Sequence, residues 1–153
     1  MRYHILKILF LVFSLLGFQK DANATDTNYI KRHKNLAKSL SKQYGIPYQV
    51  ILGVAIVESG NGKSIVSKRQ KNHFGIVGKN RLAKRKSRYK EYSTVKASYR
   101  NFCLLMTSKK FYKKLKGKKD VERWVDAISK SGYSEVPQEW KKKVLAAIKE
   151  NKL

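Results

Sequence analysis

The chain has 153 residues, a length that fits one domain with a substantial hydrophobic core. Hydrophobic residues make up 42% of it, which excludes an intrinsically disordered chain. With 35 lysines and arginines against 10 acidic residues, its formal charge is +25, so the expected partners are polyanions such as nucleic acid, anionic lipid or the acidic polymers of a bacterial envelope.

Residues 1–24 have the pattern of an export signal. Arg2 and Lys7 precede an apolar run, Ile8 to Phe18. Ala22-Asn23-Ala24 then supplies the small residues of a cleavage site. The run is about 11 residues long, which is short for a membrane span, so a retained anchor is the less favoured alternative. We expect a mature domain of residues 25–153 with no stable membrane insertion. Export also makes nucleic acid an unexpected partner.

The remainder of the chain is predicted to be mainly helical, because apolar residues recur at three- and four-residue steps. In chain order, the predicted helices are Asn28 to Tyr44, Pro47 to Ser59, Ser93 or Thr94 to about Thr107, Lys109 to Leu115, Val121 to Ser131, and Pro137 to Lys149. Residues 61–92 are rich in glycine and cations and contain short β-like pieces. We predict a loop with a small hairpin there.

Cysteine and histidine give no sign of a redox or metal site. Cys103 is the single cysteine, and its apolar neighbours favour a buried small side chain over a thiol nucleophile. His33 and His73 are 40 residues apart and lack metal-ligand spacing. We therefore expect neither a metal nor a cofactor.

One carboxylate, Glu58, differs from the other acidic residues. Helical spacing places it on the same face as Ala55, Val54 and Ile51, at the C-terminal end of the most apolar helix. Burial and the negative end of the helix dipole both disfavour its charged form, as suits an acid that protonates a glycosidic oxygen. The same spacing allows a glutamate that leaves the helix end and pairs with a lysine. The glycines that follow, which let a ligand approach the backbone, favour the acid.

Several segments together resemble a known family. They are Tyr44 to Pro47, Val50 to Leu52, Ala55 to Gly62, Asn72 to Ile76, Tyr89 to Phe102 and Gly132-Tyr133. Over residues 29–150 the chain is similar to the N-acetylglucosaminidase domain of glycoside hydrolase family 73, which includes the flagellar peptidoglycan hydrolase and many autolysins.

The resemblance implies a lysozyme-like, mainly helical domain with a small β-hairpin lobe. It implies hydrolysis of the β-1,4 bond between N-acetylglucosamine and N-acetylmuramic acid in peptidoglycan glycan strands. Glu58 takes the family's general-acid position, and Tyr133 matches an aromatic residue that lines the cleft beside it. The expected substrate-binding residues are Asn72, Phe74, Gly75 and Tyr92.

The chain departs from the family at the second catalytic group. Many members carry a second acidic residue in the β-lobe, but residues 78–88 hold none here. Glu91 is the nearest candidate. The alternatives are water held by Tyr133, stabilisation by the substrate's acetamido group, and a lytic transglycosylase route that needs one carboxyl group.

The combined expectation is a monomeric, exported enzyme of the periplasm or cell wall that also binds anionic envelope polymers. Two other functions stay open at this point. One is a non-catalytic wall-binding or assembly protein on the same fold. The other is a cationic membrane-active protein, which is disfavoured because the cations are spread over many segments.

Overall fold

The computed structural model describes residues 27–78 and 87–153. The expected export signal, residues 1–24, lies outside these ranges. Within them the helices are α1 (Thr27–Tyr44), α2 (Tyr48–Ser59), α3 (Ile65–Gln70), α4 (Val95–Thr107), α5 (Tyr112–Leu115), α6 (Val121–Ile128) and α7 (Pro137–Glu150). A π-helical turn, Ser129–Tyr133, joins α6 to α7.

Helix α2 forms the centre of the fold. It packs against α1, α4, α6 and α7, and the run Val50 to Ile56 is buried on every face of the helix. A helix that is apolar all round is stable only when it is enclosed in this way. Gly53 lets α7 approach closely, since a Cβ there would lie 2.5 Å from Cγ1 of Ile148. Gly60 ends α2 in the left-handed conformation.

The core spreads from α2 into large aromatic side chains contributed by every part of the domain. The largest fully buried ones are Tyr29, Phe74, Tyr99, Phe102 and Trp124. Cys103 is buried among them, and burial raises the pKa of its thiol to about 12. It is therefore the small buried side chain that its neighbours predict, and an unreactive one.

Most predicted helices are present with ends within a few residues of those expected. Pro47 was expected at the first helical position but precedes the first turn of α2. Helix α6 stops at Ile128, and the chain continues as the π-helical turn, where Gly132 has φ +75°. Helix α3 was missed. It has only six residues and begins where the Ser64 side chain accepts a hydrogen bond from the Ser67 amide.

The predicted mainly α class is confirmed, whereas the hairpin stays a prediction. Val77 and Tyr89 form one antiparallel bridge, flanked by hydrogen bonds from Gly78 N to Arg88 O and from Lys90 N to Ile76 O. In the two described ranges no residue belongs to a strand. The connection between the bridge partners, residues 79–86, falls outside those ranges.

None of the helices in the described part of the chain has the length and apolar character needed to cross a membrane.

Candidate active site

Glu58 lies in the last turn of α2 with its half-buried carboxyl group held between two other elements. The indole Nε1 of Trp140, in α7, donates a hydrogen bond of 2.6 Å to Oε1. The second oxygen, Oε2, faces Gly75, where a Cβ atom would lie only 3.0 Å away. Gly75 has φ +60°, so both its conformation and its lack of a side chain suit this position.

Burial raises the pKa of Glu58, and the Trp140 hydrogen bond lowers it by less. The carboxyl group therefore keeps its proton to a higher pH than an exposed glutamate does. Its hydrogen-bond partner is an indole. Among the described residues no lysine forms an ion pair with it. Glu58 thus has a raised pKa and an indole partner, and it does not form the ion pair with a lysine that its spacing also allowed.

Tyr133, in the π-helical turn, packs beside this carboxyl group. Its hydroxyl donates a 2.8 Å hydrogen bond to the Phe74 carbonyl oxygen, and its ring lies 5.3 Å from that of Trp140. Burial, the Glu58 charge and Tyr92 all raise the pKa of Tyr133 well above its ordinary value. The phenol is therefore neutral and cannot act as a base near pH 7. Its oxygen still has lone pairs that can accept a hydrogen bond.

Asn72 holds the loop that carries Gly75. Its Nδ2 donates to the carbonyl oxygens of Ile76 (2.9 Å) and Lys90 (2.8 Å), and its Oδ1 accepts from the amides of Phe74 (3.3 Å) and Ile76 (3.2 Å). Asn72 is 1% exposed, and its hydrogen-bonding capacity is taken up by backbone groups. The loop geometry opposite Glu58 thus depends on this side chain.

The Phe74 side chain belongs to the hydrophobic core. Its ring is 1% exposed, stacks on Phe102 at 4.4 Å and meets Tyr99 edge-on at 4.8 Å. Its carbonyl oxygen accepts the hydrogen bond of the Tyr133 hydroxyl. Two of the four expected substrate-binding residues, Asn72 and Phe74, are therefore buried and hold the Gly75 loop and Tyr133 in place.

Tyr92 and Glu91 lie on the segment after the Val77–Tyr89 bridge. The Tyr92 hydroxyl donates to Oδ1 of Asn101 at 2.6 Å, and Lys90 Nζ donates to the same oxygen at 2.9 Å. Burial raises the pKa of Tyr92 to about 12. Glu91 is half-buried, and in the described ranges no hydrogen bond connects it to Glu58. Tyr92 lies close enough to Tyr133 to raise its pKa.

Residues 34–153 match the sequence model of the glucosaminidase family, which is described as mannosyl-glycoprotein endo-beta-N-acetylglucosaminidase. The chain belongs to this family. The predicted enzyme class, an endo-β-N-acetylglucosaminidase of the glycoside hydrolases, is therefore confirmed. A sequence comparison with curated proteins gives no match.

Solved structures show that the glucosaminidase fold is shared. The glycoside hydrolase domain of Salmonella typhimurium FlgJ is 23% identical, with a TM-score of 0.65, 82% of this chain covered and 87% of that one. The catalytic domain of the Listeria monocytogenes autolysin Auto is 15% identical, with a TM-score of 0.69 and coverage of 92% and 89%. A peptidoglycan hydrolase from Sphingomonas sp. A1 is 24% identical, with a TM-score of 0.65 and coverage of 79% and 86%. At these identities the likeness establishes the fold alone.

Trp140 is the residue of the glucosaminidase site that sequence reasoning missed. Its position on an amphipathic helix predicted a core tryptophan, and its ring is indeed buried. Spacing does not reveal where the indole N–H points. The only available clue was that a buried tryptophan N–H needs an acceptor and that α2 carries one carboxylate on its buried part.

A buried polar cluster behind Ser59 was also missed. The Tyr29 hydroxyl lies 2.7 Å from Nδ1 of His73 and 2.8 Å from the Tyr99 hydroxyl. Ser59 Oγ accepts from the Gly62 amide at 2.8 Å and lies 3.4 Å from the Tyr29 hydroxyl. The cluster thus fixes the turn that follows Glu58.

The two histidines that seemed remote in sequence meet at this cluster. The rings of His33 and His73 are 5.5 Å apart. Burial lowers the pKa of both, that of His73 to about 4, with His33 and Arg32 adding to the effect on His73. Across the described ranges, no three histidine, cysteine or acidic residues are grouped as metal ligands.

Proposed function

We propose that this glucosaminidase hydrolyses peptidoglycan at the β-1,4 bond between N-acetylglucosamine and N-acetylmuramic acid, with Glu58 as the general acid. The observation that carries the assignment is the half-buried carboxyl group of raised pKa, held by Trp140 and facing Gly75. The names of the structural neighbours, an autolysin and peptidoglycan hydrolases, support this substrate.

The two carboxyl oxygens of Glu58 have different roles in this proposal. Oε1 accepts the Trp140 hydrogen bond, which fixes the plane of the carboxyl group. Oε2 carries the proton and is directed at the space above Gly75, which the missing side chain leaves for the leaving glycosidic oxygen. Positioning and raised pKa together make proton donation effective near neutral pH.

Among the described residues, Trp140 rather than a second carboxylate is hydrogen-bonded to Glu58, which supports a route that uses the substrate's own acetamido group. We propose that the acetamido oxygen of the substrate attacks the anomeric carbon as the leaving oxygen takes the proton of Glu58. Water then opens the resulting ring and returns a proton to the Glu58 carboxylate. The neutral Tyr133 accepts a hydrogen bond from that water and orients it. Glu91 is the alternative base, and it would need to approach Glu58 when substrate binds.

The cellular setting follows from the substrate. We propose that residues 1–24 direct export, that the enzyme acts as a monomer at the cell wall, and that the domain has the small β-hairpin lobe that the family likeness implies. Its excess of cations holds it near anionic envelope polymers. Binding to purified sacculi should then weaken steeply as salt rises.

Replacement of Glu58 by glutamine tests the proposal. The amide keeps an acceptor for Trp140 but has no proton to donate, so cleavage of purified sacculi should fall by about 100-fold or more while the helical content is retained. Glu139→Gln is the matched control, because Glu139 is 64% exposed on α7 and pairs with Lys142 at 3.4 Å. Unchanged cleavage by the Glu58 variant would refute the assignment.

Fragment analysis tests the bond. Mass spectrometry of the released fragments should give reducing N-acetylglucosamine ends. Anhydro-muramic ends would instead establish lytic transglycosylation, the route that needs a single carboxyl group.

A non-catalytic wall-binding protein on the same fold is the second candidate. It is favoured because, within residues 27–78 and 87–153, no hydrogen bond or ion pair links a second carboxylate to Glu58. Under it, the unaltered chain binds sacculi but releases no fragments from them.

A further inference from the structure

A cationic groove lies away from Glu58, between α5, α6, the π-helical turn and α7. Its volume is about 870 Å³, within the range of about 300–1,000 Å³ that is usual for ligand sites. Glu58, Tyr133 and Trp140 are not among its lining residues. Helix α7 contributes to both sites through adjacent residues: Trp140 donates a hydrogen bond to Glu58, and Lys141 lines the groove.

The groove has more positive charge than its own carboxylates neutralise. Its six cations are Lys109, Lys110, Lys114, Arg123, Lys130 and Lys141, against Asp120, Glu122 and Asp126, so three positive charges remain. Ion pairs hold part of the wall in place: Asp126 lies 2.9 Å from Lys141 Nζ and 2.7 Å from Lys130 Nζ, and Asp120 lies 3.6 Å from Arg123 Nε.

The remaining lysines are available to a ligand. Lys109 Nζ donates to the Ser131 carbonyl oxygen at 3.2 Å, which fixes its ammonium group at the groove. Lys110 and Lys114 are exposed, and in the described part of the chain no carboxylate pairs with either. Both therefore gain from an incoming anion without first losing a partner.

The lining is also apolar and carries carboxylates of its own. Phe111, Leu115 and Ala127 contribute apolar surface, and Glu122 has no ion-pair partner among the described residues. A ligand that matches all three features has carboxylates, small apolar side chains and a free amine. Peptides that contain alanine, an acidic residue and a diamino acid, as peptidoglycan stem peptides do, have these groups. A polyol-phosphate chain lacks the apolar side chains and the amine.

We propose that this groove is a second, non-catalytic binding site for the anionic stem peptides of peptidoglycan. The identity of the ligand rests on the proposed function. The groove would hold the wall through its peptides while the cleft beside Glu58 holds the glycan strand. Because α7 and the π-helical turn contribute to both, a bound peptide is kept at a fixed distance from the scissile bond.

The test measures binding of full-length chains that all carry Glu58→Gln, so that the sacculi are not degraded. The groove variant adds Lys110→Gln and Lys114→Gln. The control adds Lys143→Gln and Lys149→Gln, which removes the same charge from exposed positions of α7 that do not line the groove. The probes are sacculi stripped of phosphodiester polymers with hydrofluoric acid, the same sacculi with their carboxylates amidated, and unstripped sacculi.

On stripped sacculi, the groove variant should bind about fivefold more weakly than the control, as expected for the loss of two favourable charge contacts. On amidated sacculi the two should bind equally, and Lys110→Arg with Lys114→Arg should restore binding to stripped sacculi. Equal weakening by both pairs, a difference that persists after amidation, or a difference seen only on unstripped sacculi would overturn the proposal.

Cleavage is measured separately with Glu58 intact. A chain that shows the groove effect but cuts no sacculi contradicts the proposed function and leaves the binding site standing. A chain that cuts sacculi but shows no groove effect contradicts the binding site and leaves the proposed function standing.

Discussion

The indole nitrogen of Trp140 donates a 2.6 Å hydrogen bond to Oε1 of Glu58, a residue 82 positions earlier in the chain. Two opposed influences therefore meet on one carboxyl group, since burial raises its pKa and the indole lowers it. The bond also ties the end of α2 to α7, so the orientation of the carboxyl group depends on the packing of two helices.

Trp140→Phe should move the pH profile of cleavage. Without the indole N–H, the charged form of Glu58 loses its hydrogen bond, so the pKa rises and the alkaline limb of the profile moves to higher pH. The rate at the optimum should fall by roughly tenfold, because the carboxyl group is less well oriented. Trp124→Phe is the control: it removes an indole that donates to the Lys118 carbonyl oxygen at 3.0 Å, away from Glu58. An alkaline limb that stays in place would show that the indole does not tune the acid.

Tyr133→Phe should lower the cleavage rate more than its effect on stability explains. The variant loses a 2.8 Å hydrogen bond to the Phe74 carbonyl oxygen, which is worth about 1 kcal/mol. Tyr112→Phe loses an equivalent bond, 2.6 Å to the carbonyl oxygen of Tyr44, which precedes α2 at the end opposite to Glu58. Thermal unfolding should show similar losses for both, whereas kcat should fall only for Tyr133→Phe. Equal kcat values in the two variants would limit Tyr133 to a structural role.

Gly75→Ala should damage the site beyond the backbone strain it introduces. The new Cβ would lie 3.0 Å from Oε2 of Glu58, and the φ of +60° costs a non-glycine residue about 1–2 kcal/mol. Gly117→Ala is the matched control, because Gly117 has φ +79° and no atom within 4 Å of its Cβ position. Denaturant unfolding should show comparable destabilisation, with a much larger loss of cleavage for Gly75→Ala. Comparable activities would contradict the close approach of Gly75 to the acid.

His73 should make the protein less stable in acid. Its folded-state pKa of about 4 lies below the ordinary 6.5, so between these values the unfolded chain binds more protons. The contribution is fully present above about pH 6.5 and is lost as pH falls towards 4. The groups around the imidazole are Tyr29, Arg32 and His33 from α1 and Tyr99 from α4.

Urea unfolding at pH 7 and pH 4.5 checks this dependence. His73→Asn should show a smaller drop in the free energy of unfolding than the unaltered chain, with both carrying Glu58→Gln, since the raised pKa of Glu58 acts with the opposite sign. A drop of equal size would place the acid sensitivity elsewhere.

The helices were predictable from the sequence where amphipathic spacing and capping residues agree. Thr94 and Asp120 cap α4 and α6, each accepting a hydrogen bond from the third amide after it. Helix α3 has too few residues for a periodic apolar face, so no pattern marked it. The apolar stripe used for Glu58 carried less information than expected, because α2 is buried on nearly every face.

Individual residues of the candidate site could be predicted from the sequence, but the contacts between them could not. Glu58 and the Gly75 loop follow from local pattern and family likeness. The Trp140 hydrogen bond and the meeting of His33 with His73 are tertiary contacts between segments far apart in the chain, and one sequence does not record them. The catalytic roles of Glu58 and Tyr133 are tested by the variants above, and that of Glu91 stays a prediction.

Enclosure of α2 by four other helices has a consequence for how this enzyme can change over time. Glu58 lies on the segment that is expected to unfold only together with the whole domain. Substitutions of the buried residues of α2 are therefore expected to destabilise the whole domain. By contrast, an exposed position beside the candidate site, such as Val77 in the loop of residues 71–78, does not pack in the core, so substitutions there can alter the proposed glycan site without disturbing α2.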